Sequence, residues 1–189
     1  METVLSLCVG IGLSAACGFR IFVPLLVMSI ASYSGHLSLA PSFQWIGSQP
    51  ALIAFALATA LEIGGYYIPW VDNFLDTIAT PAAIVAGTIV TASMVTDVSP
   101  FLKWTLAVIA GGSTAGLVQG ATVLIRGASS AGTGGLANPI FATAELGGSL
   151  ITSVLSLVAP IVAVGLIVAV LVILGRKVAQ TRARARLIS

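Results

Sequence analysis

Three ionisable residues stand inside long uncharged stretches of this chain: Arg20, Glu62 and Glu145. A charge within an apolar run is expensive to place, so each is a functional hypothesis by default. Gly18 precedes Arg20 and Pro24 follows it. A helix opening there would turn free N–H groups and the positive end of its dipole toward an anion, with Arg20 as counter-charge. Gly135, Asn138 and Pro139 mark a second point of this kind. Arg20, Gly18, Asn138 and Gly135 are therefore the candidate binding set for a phosphate or carboxylate. Desolvation favours the neutral form of a carboxyl group, which suits Glu62 and Glu145 to carrying protons. Their matching surroundings, Ala-Thr-Ala before and Gly-Gly after, predict that they approach each other across the middle of a bundle. The competing reading is structural: Arg20 pairs with a glutamate to hold helices together, or snorkels to the interface.

Asp72 and Asp76 are spaced i, i+4 and share a helical face, which makes them a secondary polar site. Magnesium-diphosphate enzymes use aspartates at such spacing, but in two motifs, and a second is absent here. The plainer expectation is a solvated pair capping a helix that starts near Asp76. Other chemistry is excluded cheaply. The single histidine, His36, sits among loop residues and cannot serve Ser113 as a base. One histidine with Cys8 and Cys17 makes no ordinary zinc site, and there is no Walker loop for ATP. The expectation is no enzyme, no metal and no cofactor.

Composition says what must hold these residues in place. Apolar residues make up 58% of the 189 and charged residues 7%, with a mean hydropathy of +1.10. Soluble domains average about 25% charged residues, so a water-soluble fold and a disordered chain are both excluded. The expected class is all-α, a polytopic transmembrane helix bundle with about six membrane segments. Clear spans read at about 50–69, 78–96, 103–126 and 157–175. Loops read at 35–50, 70–77, 97–102 and 126–135, the first rich in Gly, Pro and Ser with Trp45, as at a membrane interface. Residues 3–34 as one helix would reach about 48 Å against a hydrocarbon core of about 30 Å. Gly18, Arg20 and Pro24 break that run, and Gly134, Gly135, Pro139, Gly147 and Gly148 punctuate 132–160. Broken or re-entrant helices are expected in both places, because irregular backbone at membrane depth survives only where protein or a water-filled cavity satisfies it. The small residues Gly111, Gly112, Ala115, Gly116 and Gly120 suit close helix packing.

Charge orients the chain. Five of the eight basic residues (Arg176, Lys177, Arg182, Arg184, Arg186) follow residue 175 with no acid among them. The expected organisation is a transmembrane domain over 1–175 and a basic tail over 176–189. The positive-inside rule puts that tail in the cytoplasm and the 35–49 loop outside. Counting spans back from it leaves the Arg126 and Asp72/Asp76 loops inside. Its neighbour is anionic membrane lipid rather than nucleic acid.

Two features suggest related halves, 1–97 and 98–175. Ala58-Thr59-Ala60-Leu61-Glu62-Ile63-Gly64-Gly65 is similar to Ala142-Thr143-Ala144-Glu145-Leu146-Gly147-Gly148, and Thr80-Pro81-Ala82-Ala83-Ile84-Val85 to Ala159-Pro160-Ile161-Val162. Paired interrupted segments in two halves point to a transporter's binding site. The run Gly18-Phe19-Arg20-Ile21-Phe22-Val23-Pro24-Leu25-Leu26, the Pro69, Asp72, Asp76 turn, and Gly135-Leu136-Ala137-Asn138-Pro139 with Glu145 behind it resemble a bacterial membrane family catalogued only as a domain of unknown function. The likeness covers nearly the whole chain, which departs from an acidic pair in having Leu146 after Glu145. It implies architecture and a bacterial inner membrane, not an activity. A looser analogy, broken helices in two halves, is to the DedA-type lipid-phosphate carriers. The resulting expectation is a secondary transporter or lipid-phosphate flippase for a small anion or anionic head group, proton-coupled through the glutamates and compatible with a homo-oligomer. The alternative is a membrane scaffold or assembly factor, and an ion channel ranks third.

Overall fold

The computed structural model describes residues 2–133 and 137–188, and these residues hold helices and no strand. The helices are α1 (Glu2–Cys17), α2 (Phe22–Tyr33), α3 (Gln49–Gly65), α4 (Pro69–Met94), α5 (Pro100–Leu106), α6 (Ser113–Thr133), α7 (Asn138–Val158) and α8 (Pro160–Ile188). A 3-10 helix, Pro41–Gly47, precedes α3, and a π-helical segment, Ala107–Gly112, joins α5 to α6. Proline opens α3, α4, α5, α7 and α8, where its missing N–H costs nothing and its fixed φ suits a first turn. Pro24 likewise falls in the first turn of α2. Ser48 and Ser99 cap α3 and α5 by accepting from Ala51 N and Leu102 N.

Among the described residues, three helices are long and apolar enough to cross a membrane: Phe74–Met94, Pro100–Thr133 and Asn138–Val158. The 3-10 helix and α3, bent by 64°, make a fourth if taken as one span. Thr3–Cys17, Phe22–Tyr33 and Pro160–Ile173 are apolar but shorter. At about 1.5 Å per residue, α1 and α2 each fall short of a ~30 Å core.

Contacts between the helices fix their directions. Ser14 Oγ on α1 donates to Gly87 O on α4 at 2.7 Å and lies 2.8 Å from Thr91 Oγ1, while Gly10 abuts Thr91 and Met94, so α1 and α4 are antiparallel. Helix α2 runs the other way, with Ile21 and Phe22 lining one cavity together with Ile78, and Met28 Sδ 3.5 Å from Ser93 Oγ. Helices α1 and α2 thus form a hairpin that turns at 18–21. Helix α3 returns along α2, with Ile46 at Ser29 and Glu62 at Ile21 and Phe22. Helix α6 is antiparallel to α4 through glycine contacts: a Cβ at Gly87 would stand 2.6 Å from that of Ala115, and one at Gly112 2.6 Å from Thr88 Oγ1. Helix α7 runs back along α1, with Ser149 Oγ donating to Ala16 O at 3.0 Å and Arg20 reaching Ala142. One end of the bundle therefore collects the α1–α2 turn, the α3–α4 turn, the last turns of α6 and the first turns of α7.

Burial is distributed as in a lipid-facing bundle: Leu61 is 77% exposed and Leu124 73%, whereas Arg20 and Arg126 are each 2% exposed. The apolar core centres on Leu13, Met28, Ile46 and Val90.

Three sequence expectations change. Residues 70–77 are the first turns of α4, not a loop, because Pro69 starts the helix two turns earlier than Asp76. Residues 126–133 continue α6, so Arg126 lies on a helix and not in a loop. Gly147 and Gly148 do not interrupt α7, which runs unbroken to Val158 and stops at Ala159, before Pro160. Glycine alone costs a helix only about 1 kcal/mol, which tertiary packing overrides. Gly134, Gly135 and Leu136 lie outside the described residues.

Candidate functional site

Among the described residues, the end where these turns meet holds six acidic or basic side chains, Arg20, Glu62, Asp72, Asp76, Arg126 and Glu145. Arg20 sits in the α1–α2 turn, and its Nη2 donates to Ala142 O at 2.9 Å and lies 3.4 Å from Glu145 Oε2. Arg126 comes from α6. Its Nη1 donates to Asp72 Oδ1 at 2.8 Å and Asp76 Oδ1 at 2.7 Å, and its Nε is 3.3 Å from Glu145 Oε1. Glu145 thus bridges the two arginines. The i, i+4 spacing of the aspartates on α4 is what lets one nitrogen serve both. Asn138, first residue of α7, donates from Nδ2 to Asp72 Oδ2 at 3.0 Å and accepts from Ser130 Oγ at 3.2 Å. Both guanidinium groups lie over the ring of Tyr66, Arg20 at 3.6 Å and Arg126 at 4.5 Å from its centroid. These cation–π contacts hold two like charges on one ring, and the intervening carboxylates offset their repulsion.

Glu62 faces the same turn from α3. Its Oε1 accepts from Ile21 N at 2.8 Å and its Oε2 from Phe22 N at 3.0 Å. Ile21, at the N-cap position of α2, has no side-chain oxygen to cap with, so a carboxylate from another helix satisfies two amides that the first turn leaves free. The anion-binding helix end expected at Gly18–Pro24 is present as a helix end, and the group on it is the protein's own glutamate. Glu145 pairs with Arg20 while Glu62 holds the two amides that follow Arg20, so the two glutamates stand at one end of the bundle rather than across its middle.

Of the expected binding residues, Arg20 and Asn138 join this network. Gly18 packs: a Cβ there would lie 2.6 Å from Ala115 O and from Val118 Cβ, so it allows the α1–α2 turn to sit on α6. Gly135 lies outside the described residues. Asp72 and Asp76 are not a solvated capping pair. Asp72 is 2% exposed and both are ion-paired, because the helix starts earlier and faces Arg126. Asp76 keeps 22% side-chain exposure and is the network's open edge.

Arg126 and Tyr66 were not among the expected site residues. For Arg126 a signal exists: Gln119, Thr122 and Arg126 recur at helical spacing in an otherwise apolar stretch and are all buried. Tyr66 has no such signal, since only the α3–α4 turn brings its ring under both arginines.

Three carboxylates pair with the two guanidinium groups and a fourth, Glu62, caps α2, while Arg20 Nε and Nη1 and Arg126 Nε and Nη2 have no hydrogen-bond partner. The arrangement can exchange partners within itself when a carboxylate takes up a proton. The defined class is a helical chain, with apolar helices long enough to span a membrane, that keeps a charge network inside one end. Residues 7–180 match the family model described as domain of unknown function DUF4126, and the chain belongs to that family. No curated protein and no solved structure matches it.

Proposed function

We propose that this chain is a secondary transporter or lipid-phosphate flippase of the bacterial inner membrane, moving a small anion or anionic head group with protons. The observation that carries the reading is the charge imbalance at the buried end: Glu62, Asp72, Asp76 and Glu145 against Arg20 and Arg126. A lock needs only as many acids as bases, since an uncompensated buried charge is strongly destabilising. The two carboxylates in excess of the arginines are held by other means, Glu62 by two backbone amides and Asp76 by partial exposure beside Arg126, which suits a site that cycles between charge states. When Glu145 is neutral the arginines lose a shared counter-ion, and an oxyanion takes its place. The network closes one end of the bundle in this conformation, and Asp76 is its contact with the aqueous side.

In this reading the chain has about six membrane segments in two related halves. The charged end is cytoplasmic, on the same side as the basic tail. The alternating helix directions support that placement, since they put the α3–α4 turn, the Arg126 end of α6 and the far end of the apolar part of α8 together.

One observation favours the scaffold reading: every acid of the network has a partner within the protein, and the large cavities described are apolar. The experiment that separates the two uses purified full-length protein in liposomes under an inward pH gradient. Uptake of labelled phosphate and transbilayer movement of a fluorescent phosphatidic acid are measured for wild type and Glu145→Gln. Gradient-driven movement of either probe, lost in folded Glu145→Gln, supports transport. Neither probe moving, together with a large loss of melting temperature in Glu145→Gln, favours the scaffold.

A further inference from the structure

We propose that the cleft between α6 and α8 is a binding site for an anionic phospholipid, one acyl chain lying in the cleft and the phosphate at the basic run that ends α8. The site is separate from the charge network and stands whether or not the chain transports. Helices α1 and α7 pack closely here: Ser149 Oγ donates to Ala16 O at 3.0 Å, and a Cβ at Gly12 would meet Ser156 and Ala163. Beside them is an apolar cavity of about 320 Å³. Val118, Ala121 and Ile125 line it from α6, and Leu166, Val170 and Leu171 from α8, the remaining lining coming from α1 and α7. Leu166 is 54% exposed and Val170 51%, so protein does not close the α8 side.

An apolar cavity of this kind stays dry and takes an apolar guest. Opening sideways from a membrane bundle, it meets lipid chains first. The head group follows from the charge beside it. Arg176, which is exposed, comes five residues after Leu171, about 7.5 Å along the helix, and Lys177 follows it. A phospholipid carries its phosphate at such an offset from its chains, because glycerol stands between them. Arg182, Arg184 and Arg186 continue the run, and no acidic residue follows Glu145 in the sequence, so the run has no counter-charge on its own helix. A cluster of four or more basic residues directly beyond an apolar helix recruits anionic lipid. Arg20 after Phe19 and Arg126 after Ile125 are held by Glu145, Asp72 and Asp76, and are not head-group ligands. A lipid seated here covers the inner side of α8 and fastens that helix to α6.

The test titrates delipidated full-length protein in a non-ionic detergent with phosphatidylglycerol or with phosphatidylcholine of the same chains, and counts bound lipids by native mass spectrometry. Wild type should take one phosphatidylglycerol per chain about tenfold or more tightly than phosphatidylcholine, at about fivefold per basic residue near the head group. Its melting temperature should rise with that lipid. Arg176→Gln with Lys177→Gln should erase most of the preference and leave phosphatidylcholine binding unchanged. Ala121→Phe, which fills the cleft, should abolish the tight site. Should Ala121→Phe not fold, Val170→Trp fills the cleft from its exposed side and decides in the same way. A folded filling variant that binds phosphatidylglycerol as wild type does overturns the inference, and so does equal binding of the two lipids by wild type. A wild-type dimer that Ala121→Phe turns into a monomer, with lipid binding unchanged, gives the cleft to a second copy of the chain instead. Binding is read without movement, so a failure here leaves the transport reading standing, and absent uptake leaves this inference standing.

Discussion

Replacing Arg126 by methionine keeps an unbranched, somewhat shorter stem and removes the charge. In the structure that one group serves Asp72, Asp76 and Glu145, with the Arg126–Asp72 pair 3% and 2% exposed. Removing one partner of a buried pair costs about 3–5 kcal/mol, because the remaining charge is left uncompensated. The Asp76 contribution is smaller, since its carboxylate is 22% exposed and surface-like pairs contribute about 0–1 kcal/mol. For a chain of this size each kcal/mol moves the melting temperature by about 2–4 °C, so Arg126→Met should lower it by roughly 6–20 °C. Thermal unfolding in detergent, followed by a thiol-reactive dye on Cys8 and Cys17, measures it. The added substitutions Asp72→Asn and Asp76→Asn should recover most of the loss, since they remove the stranded charges. A fall below about 2 °C for the single variant, or a further fall for the triple, would refute the claim that Arg126 is the counter-charge of this end.

Three further outcomes follow from the same geometry. In a cysteine-free background, a membrane-impermeant thiol reagent added outside should label a cysteine placed at the exposed Ser42 and miss one at Ser189; the reverse pattern sinks the orientation. Gly18→Ala should cost about 1–3 kcal/mol, read as a lower melting temperature, because its Cβ meets a carbonyl and a valine at 2.6 Å. Asn138→Ala should destabilise by about 1–3 kcal/mol through the unpaired Asp72 Oδ2, while Asn138→Asp, placing two acids together, should cost more.

Composition alone argues against a water-soluble surface, because so few charged residues cannot cover one, and helices are legible because the uncharged apolar runs are far longer than the ~10 residues of a membrane strand. The helix start at Pro50 and the break at Gly18–Arg20 are legible because proline and glycine act locally, but α4 starts at Pro69 rather than near residue 78 and carries Pro81 in its interior. Helix ends are not: α6 passes through Arg126 and α7 through Gly147-Gly148 because packing against α1 and α4 outweighs small local preferences. The sequence marks Arg20, Glu62 and Glu145 as costly and therefore meaningful, and the i, i+4 spacing of Asp72 and Asp76 as one face. It does not say which charge meets which. Pairing is a property of distance in space, and residues 20, 62, 72, 126 and 145 become neighbours only when the helix directions alternate so that four turns share one end. Tertiary structure alone seats Glu62 on the amides of α2, turns Asp72 and Asp76 inward to Arg126, and lays both arginines on Tyr66.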